Sequence, residues 1–219
     1  MTRIEGVPAR KAGPLTKLTY KMTRRQFGRM MDPVAVYAHA PSVLLGYGMF
    51  EQATVKQHRV PERLKVLGEL KAAALVNCEF CVDIASSLAR DAGITEAELL
   101  ALPHYRDSEQ FDELEKLVLD YAAAMSRTPT SVGDELFAAL REHFDERQLV
   151  ELTNVIALEN MRSRFNSAFD MTPAGFSEGM VCVPMETAPP ASPVVRSPMT
   201  VSSASEDAPT PVAEVHSAA

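Results

Sequence analysis

Apolar residues recur at spacings of three and four along most of the chain, the period of an α-helix with one buried face. From Arg63 to Asn77, Leu64, Leu67, Leu70, Ala74 and Leu75 form one stripe, flanked by the polar Arg63, Lys65, Glu69 and Lys71. Pro61 stands where a helix-starting proline is expected. Cys81, Ile84, Ala85 and Leu88 carry a second helix over Cys78–Asp91, and Gly93 is placed to stop it. Thr95-Glu96-Ala97-Glu98 has the pattern of a capping box. Three longer stripes follow: Phe111 to Met125, Leu136 to Phe144, and Leu149 to Phe165. Upstream, Leu18–Met31 and Pro41–Gln52 also read as helical. No stretch shows sustained two-residue alternation. The pattern predicts an all-α fold, a bundle of roughly eight helices.

Composition divides the chain into three parts. Residues 186–219 hold six Pro, six Ser and seven Ala and no aromatic residue. Such a segment buries too little apolar area to offset its ordering entropy, so it is expected to be a disordered tail. Residues 1–15 are expected to be a flexible arm, which leaves residues 16–185 as the folded helical domain. The charge is equally uneven. The 219 residues carry a net charge of -7, yet residues 1–31 hold eight Lys or Arg against one acid, Glu5. The acidic remainder repels phosphate backbones, so nucleic acid is not an expected partner. The basic arm is expected to lie on an acidic body, its own or a neighbouring subunit's. Thr23-Arg24-Arg25-Gln26-Phe27 has twin arginines, but Asp32, Pro33, His39 and Pro41 follow where an export signal needs an apolar run. The arginines are read as an exposed helix face. No run approaches the ~20 apolar residues of a membrane helix. The expected setting is the cytoplasm, with thiols reduced.

Three cysteines are present, and two of them form a C-x-x-C, Cys78 and Cys81. One helix runs up to this pair and another leaves it, with Asn77 as the expected N-cap. Unpaired N–H groups and the helix dipole at such a start favour a thiolate. The spacing puts both sulfurs on one face of the turn, close enough to form a disulfide. The matching chemistry is thiol–disulfide exchange: one thiolate attacks and the other resolves the mixed disulfide. Two other readings stay open. The cysteines could be small core residues, or half of a zinc site with His39, His58, His104, His143 or Cys182, although no second ligand pair is spaced to complete one. Cys182 itself reads as a packed thiol or an intersubunit partner.

The run Arg63-Leu64-Lys65, then Leu75-Val76-Asn77-Cys78-Glu79-Phe80-Cys81-Val82-Asp83-Ile84, resembles the carboxymuconolactone decarboxylase-like family, in particular its AhpD-type alkylhydroperoxidase branch. Ala92-Gly93-Ile94-Thr95 and Ala157-Leu158-Glu159-Asn160-Met161-Arg162-Ser163-Arg164-Phe165-Asn166 fit the same pattern, so the resemblance spans about Pro41 to Gly179. It implies an AhpD-like bundle assembled as trimers or larger rings. It also implies a thiol-dependent peroxidase or disulfide reductase acting on small hydroperoxides or partner disulfides. A thiol reductant protein would regenerate it, with no cofactor and no metal. By resemblance Cys81 is the attacking thiol and Cys78 its resolving partner, whereas helix-start geometry favours Cys78. The family pattern also has a Glu twelve residues before the first Cys and a His four after the second, forming a proton relay. Here those positions are Val66 and Ala85. Glu69, one turn past Val66, is the candidate replacement; Glu79 and Asp83 are nearby in sequence. The alternatives are a family member that keeps the scaffold without the chemistry, and a decarboxylase-like enzyme. Glu159, Asn160, Arg162, Arg164 and Asn166 form a polar cluster in an otherwise apolar helix, read either as part of the site or as buried packing contacts.

Overall fold

The structure, a computed structural model, describes residues 2–186. The tail expected over 186–219 therefore lies outside the described residues, apart from Glu186 itself. The described residues form nine α-helices and a 3₁₀ turn, with no strand. The helices are α1 (Pro14–Phe27), α2 (Asp32–Tyr37), α3 (Pro41–Val55), α4 (Glu62–Val76), α5 (Glu79–Ala89), α6 (Glu96–Ala101), α7 (Glu113–Ser126), α8 (Asp134–His143) and α9 (Glu146–Ala168). The 3₁₀ turn, Leu102–Asp107, joins α6 to α7. The all-α expectation holds. The helix expected over Leu18–Met31 runs instead from Pro14 to Phe27, because Gly28 takes a left-handed φ of 72° and ends it; α2 begins beyond that span, at Asp32.

Helix α4 is the axis of the bundle, packed against α5, α7 and α9. Ten of its fifteen residues are buried, which is more than one stripe accounts for. Lys65 and Lys71 look like surface residues in the sequence, yet each is buried beside a carboxylate. Lys65 Nζ pairs with Glu62 (2.7 Å) and Glu151 (3.5 Å), and Lys71 Nζ pairs with Glu186 (2.5 Å). Helices α4 and α9 approach closely at Gly68, where a Cβ would meet Ile156 Cγ1 at 3.1 Å. Three helix starts carry reciprocal capping boxes: Thr95 with Glu98, Asp112 with Glu115, and Asp145 with Gln148. The segment before α1, read as a loose arm, is hydrogen-bonded to the bundle. Arg3 N–H donates to Phe169 O (2.8 Å), its guanidinium to Ala168 O (2.9 Å), and Val7 N–H to Ala35 O (2.9 Å). These partners are backbone carbonyls rather than the acidic side chains that charge alone suggested.

Candidate active site

The cysteine pair sits at a tight junction between two helices. Helix α4 ends at Asn77, which adopts a left-handed φ of 62°. Among residues with side chains, Asn reaches that conformation at least cost. The next residue then turns back, so that Cys78 N–H donates to Ala73 O (3.1 Å). Asn77 is thus the C-cap of α4, and not the N-cap of α5 that its residue type suggested. Cys78 is itself the N-cap: its sulfur accepts the Cys81 backbone N–H at 3.2 Å. The two cysteines are joined as a disulfide, with Cα atoms 5.3 Å apart. They are 3% and 5% exposed, so both are buried.

A third element reaches the sulfurs. Asn166 of α9 is buried, and its amide Nδ2–H points at Cys81 Sγ (3.3 Å) and, more distantly, at Cys78 Sγ (3.9 Å). Val66 and Ala85 are buried in the same apolar cluster as both cysteines. The positions that hold a proton relay in the family pattern therefore present only methyl groups to this cluster. Glu69 serves a different partner: its carboxylate is paired with Arg162 at 3.0 Å. Glu79 is exposed on the first turn of α5.

Arg162, one turn before Asn166 on α9, collects three carboxylates. They are Glu51 (2.8 Å), Glu69 (3.0 Å) and Glu159 (3.1 Å). Glu159 also accepts the Ser163 hydroxyl at 2.8 Å. Burial lowers the affinity of Arg162 for its proton, but the three carboxylates outweigh burial and hold it firmly charged. One cation cannot neutralise three anions. Burial pushes the Glu159 carboxyl up to about 7, with Arg162 opposing and Glu69 reinforcing the rise. Glu69 is raised for the same reason, burial first. Tyr37 stacks on Phe165 (centroids 3.8 Å apart) and on Tyr47 (4.8 Å), and Phe165 packs against the cluster that holds the cysteines. The rest of the polar run on α9 goes elsewhere: Asn160 Nδ2 donates to Ser126 Oγ (2.9 Å), and Arg164 bonds Asn160 Oδ1.

Asp83, two residues past Cys81, fastens the segment that follows α9. Its carboxylate accepts the N–H groups of Ala174 (2.9 Å), Phe176 (3.0 Å) and Ser177 (2.8 Å), and the Ser177 hydroxyl (2.5 Å). Burial raises its pKa, but these donors outweigh burial and hold it below the ordinary carboxylate value. Cys182 is a half-buried free thiol 2.9 Å from Ser177 Oγ. His58, His104 and His143 are exposed, and His39 Nε2 lies 2.9 Å from Glu5 O. Among the described residues, no three His, Cys, Asp or Glu side chains gather into a metal-binding group.

Residues 41–124 match the model of the carboxymuconolactone decarboxylase family. The uncharacterized protein YnjA of Escherichia coli (strain K12) is 36% identical over 154 residues, covering 69% of this chain and 84% of that protein. The chain belongs to the carboxymuconolactone decarboxylase family. Its fold is shared with a peroxidase-related protein from Ralstonia eutropha JMP134, described as an alkylhydroperoxidase AhpD core. That match has a TM-score of 0.68 at 17% identity, over 80% of this chain and 94% of the other. The debrominase Bmp8 shares the fold as well, with a TM-score of 0.69 at 18% identity over 79% of this chain and 92% of that one. One scaffold thus carries members described by different activities.

Proposed function

We propose that this protein is a thiol oxidoreductase of the AhpD type, in which Cys78 and Cys81 cycle between dithiol and disulfide. The observation that carries this reading is the cysteine pair itself, bonded at the start of α5 with N–H donors on both sulfurs. A buried pair of small core residues needs no such donors. In the peroxidase direction, a thiolate attacks a hydroperoxide, the O–O bond breaks, and the alcohol leaves with a proton. The resulting sulfenic acid condenses with the second thiol, releasing water and forming the disulfide. In the exchange direction, the same thiolate attacks a disulfide and a thiolate leaves. A reducing thiol, protein-borne or small, restores the dithiol in either case, which suits a cytoplasmic setting.

The test uses the full chain. Reduced protein is mixed with hydroperoxide or with a small disulfide, and substrate loss is followed beside the free-thiol count. Two thiols should disappear per substrate consumed, and either Cys78→Ser or Cys81→Ser should abolish turnover. A dithiol that stays reduced under both oxidants would sink the proposal and leave the reading of a scaffold without chemistry, which Val66 and Ala85 favour.

We also propose that the protein assembles with copies of itself through α1 and α3. Only Leu44 and Thr54 are buried on α3, whereas Val43, Leu45, Met49, Phe50 and Val55 are exposed. Leu15, Leu18 and Met22 extend the apolar surface along α1. Exposed apolar side chains gathered on two helices that pack together favour an interaction face. Met49→Asp should lower the sedimentation coefficient of the assembly; an unchanged value would place the contact elsewhere.

A further inference from the structure

The two sulfurs differ in their nearer donor, although the Asn166 amide also lies 3.9 Å from Cys78 Sγ. Cys78 Sγ accepts the backbone N–H of Cys81 (3.2 Å), a group fixed by the start of α5. Cys81 Sγ accepts a side-chain N–H from another helix, that of Asn166 (3.3 Å). We propose that Asn166 is a positioning residue that holds Cys81 as the thiolate of the reduced pair. The assignment rests on the thiol-oxidoreductase reading above and adds to it which sulfur is activated and by what.

When the disulfide is reduced the sulfurs part, and on this proposal each keeps its nearer donor. A thiolate in an apolar cluster is penalised by burial, which pushes a thiol pKa up. Something must offset that penalty for Cys81, which is 5% exposed. The charged groups on the surrounding elements are engaged elsewhere or face water. On α4, Glu69 is paired with Arg162; on α9, Arg162 is shared among three carboxylates. On α5, Asp83 is bonded to the segment after α9, and Glu79 is exposed. In that segment, Cys182 lies against Ser177. The Asn166 amide remains. It donates without carrying a proton that it could lose in the working range, so it favours the anion at every pH. A hydrogen bond thus takes over, at one sulfur, work that a general base would do at Val66 or Ala85.

The chemistry balances. Cys81 thiolate attacks a substrate disulfide, forming one S–S bond and expelling one thiolate. Cys78 gives up its proton to that thiolate and attacks Cys81 Sγ. The internal disulfide forms and the second substrate thiolate leaves, taking a proton from solvent. Two electrons pass from the dithiol to the substrate.

The test reads thiol ionisation without substrate. In a Cys78→Ser/Cys182→Ser background, Cys81 is the one thiol, and Ser at position 78 keeps the N-cap acceptor. The pH dependence of its alkylation by iodoacetamide gives its pKa. With Asn166 intact, that value should fall below the ordinary ~8.5. Adding Asn166→Leu or the same-sized Asn166→Asp should raise it by about one to two pH units, a ~10- to 100-fold loss of thiolate near pH 7. In the mirrored Cys81→Ser/Cys182→Ser background, the Cys78 pKa should move far less. A Cys81 pKa at or above the ordinary value with Asn166 intact overturns the assignment, and that measurement needs no change at Asn166. So does an equal shift at both cysteines. A shift without any turnover in the wild type leaves Asn166 in its role and defeats the oxidoreductase reading; turnover without a shift does the reverse.

Discussion

Glu159→Gln is the perturbation with the most calculable outcome. Glu159 is 4% exposed and shares Arg162 with Glu51 and Glu69. Its folded carboxyl titrates at about 7, against 4.5 for the unperturbed side chain. The folded state therefore holds this proton more tightly than the unfolded chain does. Below pH 4.5 both states are protonated and burial costs little. Between 4.5 and 7 the unfolded chain releases its proton first, so folding must either take up a proton or bury an anion, and stability falls. At about 1.4 kcal/mol per pH unit, the loss reaches about 3 kcal/mol once the pH is above 7.

A glutamine at this position carries no charge and escapes that loss. It can still accept the Ser163 hydroxyl, and at pH 5, where the folded Glu159 carboxyl is itself protonated, it replaces one neutral side chain by another. The variant should therefore match the wild type within about 1 kcal/mol at pH 5 and be the more stable protein at pH 8. Removing one of the three carboxylates also relieves Glu69, which adds to the gain at high pH. Urea unfolding at pH 5, 6, 7 and 8 measures the difference. A swing near 3 kcal/mol between the two ends supports the argument. Curves that run parallel across this range, within about 1 kcal/mol, would show that Glu159 folds as an ordinary ionised carboxylate, and the picture of an over-supplied arginine would fail.

Two further outcomes follow from the site. Asp83→Ala removes the acceptor for three backbone N–H groups and one hydroxyl. It should cost about 3 kcal/mol in urea unfolding and open residues 174–186 to proteolysis. The wild type should lose the same contribution as pH falls below about 3.8 and through the lowered Asp83 pKa, because only the carboxylate accepts all four donors. Val66→Glu with Ala85→His would rebuild the relay of the family pattern and should raise peroxide turnover by ~10²-fold. Crowding of the apolar cluster should cost about 1–3 kcal/mol in the same variant. A folded double variant with unchanged turnover would mean that proton supply does not limit the peroxide reaction.

The helical fold was legible because the stripes on α7, α8 and α9 keep the helix period over long runs. The centre of the bundle was less so. Helix α4 is buried on all sides, and Lys65 and Lys71 satisfy their charges with Glu62, Glu151 and Glu186. Two of those three carboxylates are more than 80 residues away in sequence, so no local pattern reveals them. The cysteine pair was visible from its spacing, and its place at a helix start was correct. The capping role of Asn77 was misassigned, because asparagine suits both an N-cap and a left-handed C-cap. The approach of Asn166 to the sulfurs is likewise set by how α4 and α9 cross, although its cluster on α9 had stood out as polar among apolar neighbours. Glu69 shows the converse: adjacent to Val66 in register, it is drawn to Arg162 by charge.

The nature of the donors also bears on which substrate the pair handles best. The sulfurs' hydrogen-bond partners among the described residues are a backbone N–H and an amide N–H, both of which stabilise a thiolate and neither of which delivers a proton. Attack on a disulfide expels a thiolate whose parent acid has a pKa near ~8.5, a group that leaves readily unprotonated at neutral pH. Attack on a hydroperoxide expels an oxygen anion, a far stronger base, and speeds up when an acid protonates it during O–O cleavage. On the thiol-oxidoreductase proposal, a site whose one ready acid is the second thiol is expected to favour the first reaction over the second. The same donors moderate the first, because a thiolate stabilised well below ambient pH is also a weaker nucleophile. The penalty that burial sets on Cys81 opposes this over-stabilisation. If Asn166 holds Cys81 as proposed, a single amide N–H offsets the burial of that sulfur without spending its reactivity.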